Sequence, residues 1–477
     1  MNRLHPENLG QLAADVQLPP YRREELRPGI LHLGLGAFHR AHQAVFTEDA
    51  IAASGGDWGI IGVSMRSNRV ARQLRPQQNL YSLMSEDARG YQLQVLGAIT
   101  ETLVASRELE RVLEAFANPA IQVVTLTITE KGYCLAADGH SLDAQTPVVS
   151  ADLARPSQPS SAVGILALGL KHRLEAGGAP LTLVSCDNLS ANGRVLEGVL
   201  KDYLQLTFPG VLPWLDSSLA FPCSVVDRIV PAISEEKRQE QCQRLGLIDQ
   251  GAVSTEPFTQ WIIEDHFAAA RPDWQRAGVQ LVGDILPYEK MKLGLLNASH
   301  SAIAYLGLLA GLETVDQVMA NERLGPYIQR LMSLELTQAL EVPVDFDLDD
   351  YRDALLLRFS NPSLGHRCQQ IAMDGTEKIR QRWLPILQQM RLPEQLLKAL
   401  GAWCHIILQT DVAIEDPRQS LLLELRSSGD SLDGRLDGAL DNLGITPRTI
   451  PDYAGVKEIL LQNLDILDQK GVSQLLN

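Results

Sequence analysis

The segment Gly29-Ile-Leu-His-Leu-Gly-Leu-Gly36 constrains what this chain can fold into more than any other. A short apolar run that ends on glycines is how a strand buried on both faces meets a turn open enough to admit a phosphate. After it, Arg40 to Ala53 has the apolar spacing of a helix and Trp58-Gly-Ile-Ile-Gly-Val63 reads as a second strand. The order strand, turn, helix, strand is that of one βαβ unit. Two more β-branched runs, Ile121 to Ile128 and Leu181 to Ser185, predict central strands whose last residues are polar. Between them the turn-forming stretch Ala154 to Ser161 leads into a helix capped at Ser160 or Ser161. From about Leu286 strand signals nearly vanish, and Leu, Ala, Gln and Glu recur at helical spacing. The pattern predicts an α/β domain over residues 1–285 and a mostly α-helical C-terminal domain over residues 286–477.

Charge narrows the partners. A formal net charge of -16 repels nucleic acid phosphates and acidic lipid surfaces, so neither partner is expected. No apolar run has membrane-spanning length and the first residues lack a signal-peptide core, which predicts a cytoplasmic protein. The six cysteines are scattered, with no pair or Cys/His cluster at zinc spacing, and no metal site is expected.

Gly34-Leu-Gly36-Ala-Phe38-His-Arg40 has the G-x-G start of a dinucleotide site, where missing Cβ atoms let backbone N–H groups approach a pyrophosphate. The third glycine of the usual fingerprint is absent. The longer run Gly34-Leu-Gly-Ala-Phe-His-Arg-Ala-His-Gln43 resembles the signature of the mannitol dehydrogenase family of long-chain polyol dehydrogenases. That resemblance implies a Rossmann-like N-terminal domain, with Gly34, Gly36, Phe38 and Arg40 beside the cofactor and His39 and His42 packing the loop. It implies NAD as cofactor. The end of the second strand, Gly62-Val-Ser-Met-Arg66-Ser67, carries no carboxylate for a ribose 2′-hydroxyl, and Arg66 or Arg69 leaves NADP open.

Tyr288-Glu-Lys-Met-Lys292-Leu-Gly-Leu-Leu-Asn297-Ala-Ser-His300 reads as K-x-x-x-x-N-x-x-H. On a regular helix these three side chains fall within an arc of about 140°, so one helix can aim all three into a cleft. Oxidising an alcohol needs a base near the hydroxyl and donors for the developing negative charge. Burial lowers a lysine towards neutrality and makes it such a base, Asn297 is a neutral donor, and His300 can hold a hydroxyl or orient the lysine. This spacing also resembles the family's, which implies Lys292 as base and Asn297 as oxyanion donor.

Ser185-Cys-Asp-Asn188 follows a predicted strand directly and resembles the family's S-C-D-N pattern, implying Asn188 as a second oxyanion donor, while Asn192 reads as a turn former. Val225-Val-Asp227-Arg228-Ile-Val-Pro231 resembles the V-D-R-I-x-P segment, which implies Asp227 in the substrate site. Arg358-Phe-Ser-Asn-Pro362 and Asp374-Gly-Thr-Glu-Lys378 continue the likeness, with Lys378 a ligand for a hydroxyl or carboxylate. Mannitol-oxidising members carry an arginine four residues before that aspartate, where Gln370 stands here. Gly365-His366-Arg367-Cys-Gln-Gln-Ile-Ala-Met-Asp-Gly is similar instead to fructuronate reductases, which interconvert D-mannonate and D-fructuronate. A carboxylate-bearing substrate then calls on His366, Arg367 and Lys378. The expectation is a metal-independent NAD(P)-dependent dehydrogenase of a sugar acid, with a polyol as the alternative substrate. A non-enzymatic dinucleotide-binding protein keeps the glycine turn but leaves Lys292, Asn297, His300 and Asn188 without a reason to coincide.

Overall fold

The expected apolar runs become strands stacked side by side. The computed structural model describes residues 1–342 and 346–476, and the chain divides into two units, Met1–Ile285 and Leu286–Asn477. In the first unit β1 (Pro28–Leu33), β2 (Gly59–Ser64), β3 (Tyr81–Asp87), β4 (Gly90–Leu96), β5 (Ile99–Val104), β6 (Val123–Leu126), β7 (Leu181–Ser185) and β8 (Leu219–Ala220) follow one another along the chain. Six of them form a parallel sheet in the order β5-β2-β1-β6-β7-β8. Because β1 has β2 on one side and β6 on the other, the winding of the chain reverses there. Such a reversal opens a crevice at the carboxyl ends of the two strands, where α/β sheets bind ligands.

Alternate residues of each strand enter different cores, as a two-residue period requires. Leu31, Leu33, Val63, Val124 and Leu183 pack in one apolar cluster, and Ile30, Ile60, Val123 and Val184 in another on the opposite face. Helices cover both faces. They include α1 (Ala37–Ala41), α2 (Gln43–Ser54), α3 (Arg69–Leu74), α4 (Ala105–Ala117), α5 (Ala162–Glu175), α6 (Asn192–Thr207) and α7 (Glu235–Leu245). The predicted serine cap of α5 is Ser161, whose hydroxyl accepts from the Gly164 N–H at 2.9 Å. The single helix expected from Arg40 to Ala53 is instead broken at His42 (φ -127°, ψ -88°). That ring stacks on Phe38 with centroids 5.0 Å apart and bonds the Gln260 carbonyl at 2.8 Å, contacts that an unbroken helix would not serve.

Two small sheets escaped the sequence reading. They pair β10 (Val253–Thr255) with β3 and β4, and β12 (Gln280–Val282) with β11 (Gln260–Glu264) and β9 (Ser224–Asp227). Strands of three to five residues are too short to show a period, and the hairpin arm Gly90–Leu96 begins with three exposed residues.

The second unit is helical. α8 (Leu286–Met291), α9 (Ala298–Leu309), α10 (Leu348–Phe359), α11 (Gly375–Arg382), α12 (Glu394–Gln409) and α13 (Tyr453–Lys470) dominate it. Among its described residues the only β pairing is an isolated bridge between Thr314 and Arg367. Every residue from Ala298 to Gly307 is buried, so α9 is the central helix, with α12 packed on it and α13 on α12. The regular helix expected through Lys292 and His300 is interrupted, because Lys292–Asn297 is a π-helical turn between α8 and α9. No helix among the described residues is long and apolar enough to cross a membrane.

The turn after β1 sets a stability test. Gly34 has φ +101°, and an added Cβ would lie 2.0 Å from the Thr127 carbonyl oxygen, whereas one on Gly36 would meet nothing closer than the Gly34 oxygen at 3.6 Å. Gly34→Ala is expected to lower the unfolding free energy by about 2 kcal/mol or more and Gly36→Ala by less than about 0.5 kcal/mol, measured by urea titration followed by circular dichroism.

Candidate active site

At the end of β1 the backbone is held from both neighbours. The N–H groups of Gly34 and Leu35 both donate to the Val63 carbonyl of β2, at 2.9 and 3.0 Å. From the other side the Thr127 hydroxyl, just past β6, donates to the Gly34 carbonyl at 2.9 Å. The two glycines therefore differ in function. Gly34 is required by backbone geometry, and Gly36 leaves an open face at the N-cap of α1. That open face fits a pyrophosphate approaching the main chain. At the end of β2 the Ser64 hydroxyl is buried without a hydrogen-bond partner, in the place where a ribose is read in such folds.

The other residues expected at the cofactor divide. Phe38 is half-buried against His42. Arg40 is 6% exposed, and its guanidinium donates to the carbonyls of Gly36 (3.1 Å) and Gly251. Tyr81 lies beneath it and donates back to the Arg40 carbonyl at 2.7 Å, so Arg40 fastens the turn to the small β3 sheet. Arg66 is exposed and makes no side-chain hydrogen bond among the described residues. His39 is fully buried, stacked on His32 with centroids 3.4 Å apart. His32, which the sequence reading passed over, lies between the hydroxyls of Thr125 (2.8 Å) and Thr127 (3.0 Å).

At the carboxyl end of β7 the S-C-D-N segment does two things. Asp187 accepts from the N–H groups of Ile128 (3.0 Å) and Thr129 (2.8 Å) and from the Tyr133 hydroxyl (2.7 Å), which ties the loop after β6 to the loop after β7. Asn188 is exposed on that tied loop. Asn192 is buried and clamps β9, donating to the carbonyls of Asp187 (3.0 Å) and Ser224 (2.8 Å). Asp227, 6% exposed, ends β9. The neighbouring Arg228 turns to the carbonyls of Ala41 (2.5 Å) and Glu256 (2.9 Å).

In the helical unit Lys292 opens the π turn half-buried, and Asn297 closes it at 9% exposure. His300, also 9% exposed, lies against Phe359 and meets His366 edge-on with ring centroids 5.3 Å apart. Arg382 donates to the Asn297 carbonyl (3.1 Å) and the Ser301 hydroxyl (2.9 Å), and Lys378, one helical turn earlier on α11, donates to the Ile371 carbonyl (3.1 Å). Asn297 Nδ2, His300 Nε2, His366 Nδ1 and Arg382 Nε are all buried without a hydrogen-bond partner. Unpaired buried donors on this scale are costly unless a ligand meets them. Arg367, by contrast, is exposed and its side chain makes no hydrogen bond among the described residues.

Against known proteins the chain matches the mannitol dehydrogenase Rossmann domain over residues 28–276 and the mannitol dehydrogenase C-terminal domain over residues 284–433. It belongs to the mannitol dehydrogenase family. It is 41% identical to the D-mannonate oxidoreductase of Escherichia coli K12, over 82% of this chain and 80% of that one. It is 36% identical to a polyol:NADP oxidoreductase of Gluconobacter oxydans, over 79% of each. Among solved structures, the ternary complex of Pseudomonas fluorescens mannitol 2-dehydrogenase with NAD and D-mannitol superposes with a TM-score of 0.85, at 34% identity, over 99% of this chain and 98% of that one. The mannitol dehydrogenase family member described here is accordingly a nicotinamide-dependent oxidoreductase of polyols or sugar acids.

Electrostatics of the site are set by burial. In this family member burial first, and then the nearby charges of His366, Arg358, Arg382 and Lys378, hold His300 well below the ordinary histidine range, so its imidazole is neutral. Burial likewise lowers Lys378, and brings Arg382 down to about 10. Arg382, four residues after Lys378 and so on the same face of α11, is a residue that helical spacing would have revealed. Ser64 and His32 carried no signal, because a serine or histidine inside a strand reads as packing.

Burial also drives His32 down to about 3. A base whose pKa falls on folding contributes stability above its unfolded value of about 6.5, and that contribution is lost as pH drops towards the folded value. Between pH 8 and pH 5 the wild type is expected to lose about 2 kcal/mol more unfolding free energy than His32→Gln, measured by urea titration at each pH.

Proposed function

We propose that this chain interconverts a secondary alcohol and a ketone on a sugar acid, D-mannonate and D-fructuronate, using NAD or NADP. The observation that carries the reading is the group of cations around His300. The charges of Arg358, Arg382 and Lys378 act on a buried, neutral imidazole whose Nε2 has no partner, and the neighbouring Asn297 amide nitrogen is also unmet. An oxygen-rich anion answers both the charge and the open donors. The name of the E. coli D-mannonate oxidoreductase supports the same choice.

A bound nicotinamide dinucleotide supplies the hydride acceptor or donor. In the oxidative direction Lys292 takes the hydroxyl proton while hydride leaves the carbon that bears that hydroxyl. Asn297 and Asn188 donate hydrogen bonds to the oxygen as its negative charge grows, which lowers the barrier where the charge is greatest. Neutral His300 holds a neighbouring hydroxyl without adding a competing charge, and Asp227 accepts from another. Lys378 and His366 receive the carboxylate end, with Arg367 at the rim. Gly34, Gly36, Phe38, Arg40 and Arg66 serve the dinucleotide, the first four by shaping its turn. A second reading is a polyol substrate, supported by the likeness to the mannitol 2-dehydrogenase complex.

Two measurements test this. Lys292→Ala is expected to reduce kcat by at least about 1000-fold while the dissociation constant for NADH, followed by tryptophan fluorescence, stays within about twofold. With D-fructuronate, D-tagaturonate and D-fructose assayed in parallel, D-fructuronate is expected to give the highest kcat/KM. Lys378→Ala is then expected to raise KM for the uronate at least about tenfold more than for fructose. Activity confined to fructose would replace the sugar acid with the polyol.

A further inference from the structure

In α/β dinucleotide sites the end of the second strand, here β2, is where the adenosine ribose is read. A carboxylate at the end of that strand ordinarily accepts from the ribose 2′-hydroxyl of NAD and repels a 2′-phosphate. Here the strand ends at Ser64, and the residues that follow are Met65-Arg66-Ser67-Asn68-Arg69, with no acid among them. Ser64 is 6% exposed, and its buried hydroxyl has no hydrogen-bond partner. It adjoins Val63, whose carbonyl holds the glycine turn, so an unmet donor stands beside the place where the dinucleotide is expected.

Arg66 and Arg69 are both exposed, and neither side chain forms an ion pair or hydrogen bond among the described residues. The nearby Arg75 and Arg111, by contrast, are both paired with Glu108. The loop that carries them is held in place. The Arg69 N–H donates to the Ser67 hydroxyl at 3.1 Å, and the Ser106 hydroxyl donates to the Arg66 carbonyl at 3.1 Å. Arg69, Val70 and Gln73 then line a cavity of ≈ 440 Å³ whose other walls include Ala37 and Arg40 of the turn and Ser234, Glu235 and Arg238 at the start of α7. Three guanidinium groups face one carboxylate there, and that carboxylate is engaged by Arg238.

We propose that Arg66 and Arg69 clamp a 2′-phosphate, with the Ser64 hydroxyl as a further donor, so that the enzyme uses NADP(H) in preference to NAD(H). The assignment rests on the dehydrogenase reading above and extends it to the adenosine end of the cofactor. Guanidinium groups suit a phosphate dianion because each can give two parallel N–H bonds.

Isothermal titration of the full chain with 2′,5′-ADP and with 5′-AMP isolates the phosphate from the chemistry of the nicotinamide. The wild type is expected to bind 2′,5′-ADP at least about tenfold more tightly than 5′-AMP. In R66A/R69A that advantage is expected to vanish while the 5′-AMP dissociation constant moves less than about twofold, and the salt dependence of 2′,5′-ADP binding should become shallower. Equal affinity for the two fragments in the wild type, or an undiminished advantage in the double variant, overturns the clamp and leaves the dehydrogenase assignment standing. Failure of both fragments and of NADH to bind overturns the two together.

Discussion

The carbonyl of Val63 accepts two N–H groups, from Gly34 and Leu35, and the first unit is organised around that convergence. It draws the exit of β1 tightly against β2, while the Thr127 hydroxyl draws the same exit towards β6. Only a residue without a Cβ fits between those two pulls, because the Thr127 carbonyl occupies the space a side chain would take. The crevice at the reversal of the sheet is thus fixed by main-chain geometry. What it recognises is left to the loops beyond the strands.

Buried arginines extend the same economy. Arg40, Arg173 and Arg228 are nearly or fully buried, and none forms an ion pair among the described residues. Each satisfies its guanidinium with backbone carbonyls, Arg173 with those of Phe116, Asn118, Ile121, Ala179 and Pro180. Burial lowers Arg173 and Arg228 to about 10, which still leaves both protonated at neutral pH. Carbonyl dipoles stabilise these charges without cancelling them. Near the glycine turn, Arg40 and Arg228 hold their charges on the carbonyls of Gly36 and Ala41.

What was legible in the sequence follows from length and period. The four apolar runs of the large sheet showed themselves because strands buried on both faces are apolar throughout, and Ser161 showed itself because a cap has a local cause. The small sheets were hidden by three-residue strands, and the break at His42 by a contact with Gln260 more than two hundred positions away. At the candidate site, the proposed trio Lys292, Asn297 and His300 stood out as a pattern of types and spacings. The orphaned nitrogen atoms around them were not, since a missing partner is a property of the packed interior. Arg382 lay in between, readable from its offset to Lys378 once α11 was placed.

The π-helical turn at Lys292–Asn297 makes the number of residues there a phase setting. Relative to a regular helix the turn holds one surplus residue, and a helix absorbs or expels such a residue by rotating everything on one side through about 100°. Loss of a single residue in this stretch would thus let the backbone relax into an ordinary α-helix, with better hydrogen bonds, while rotating Lys292 about the helix axis relative to Asn297 and His300. The local backbone and the spacing of the three proposed site residues pull in opposite directions.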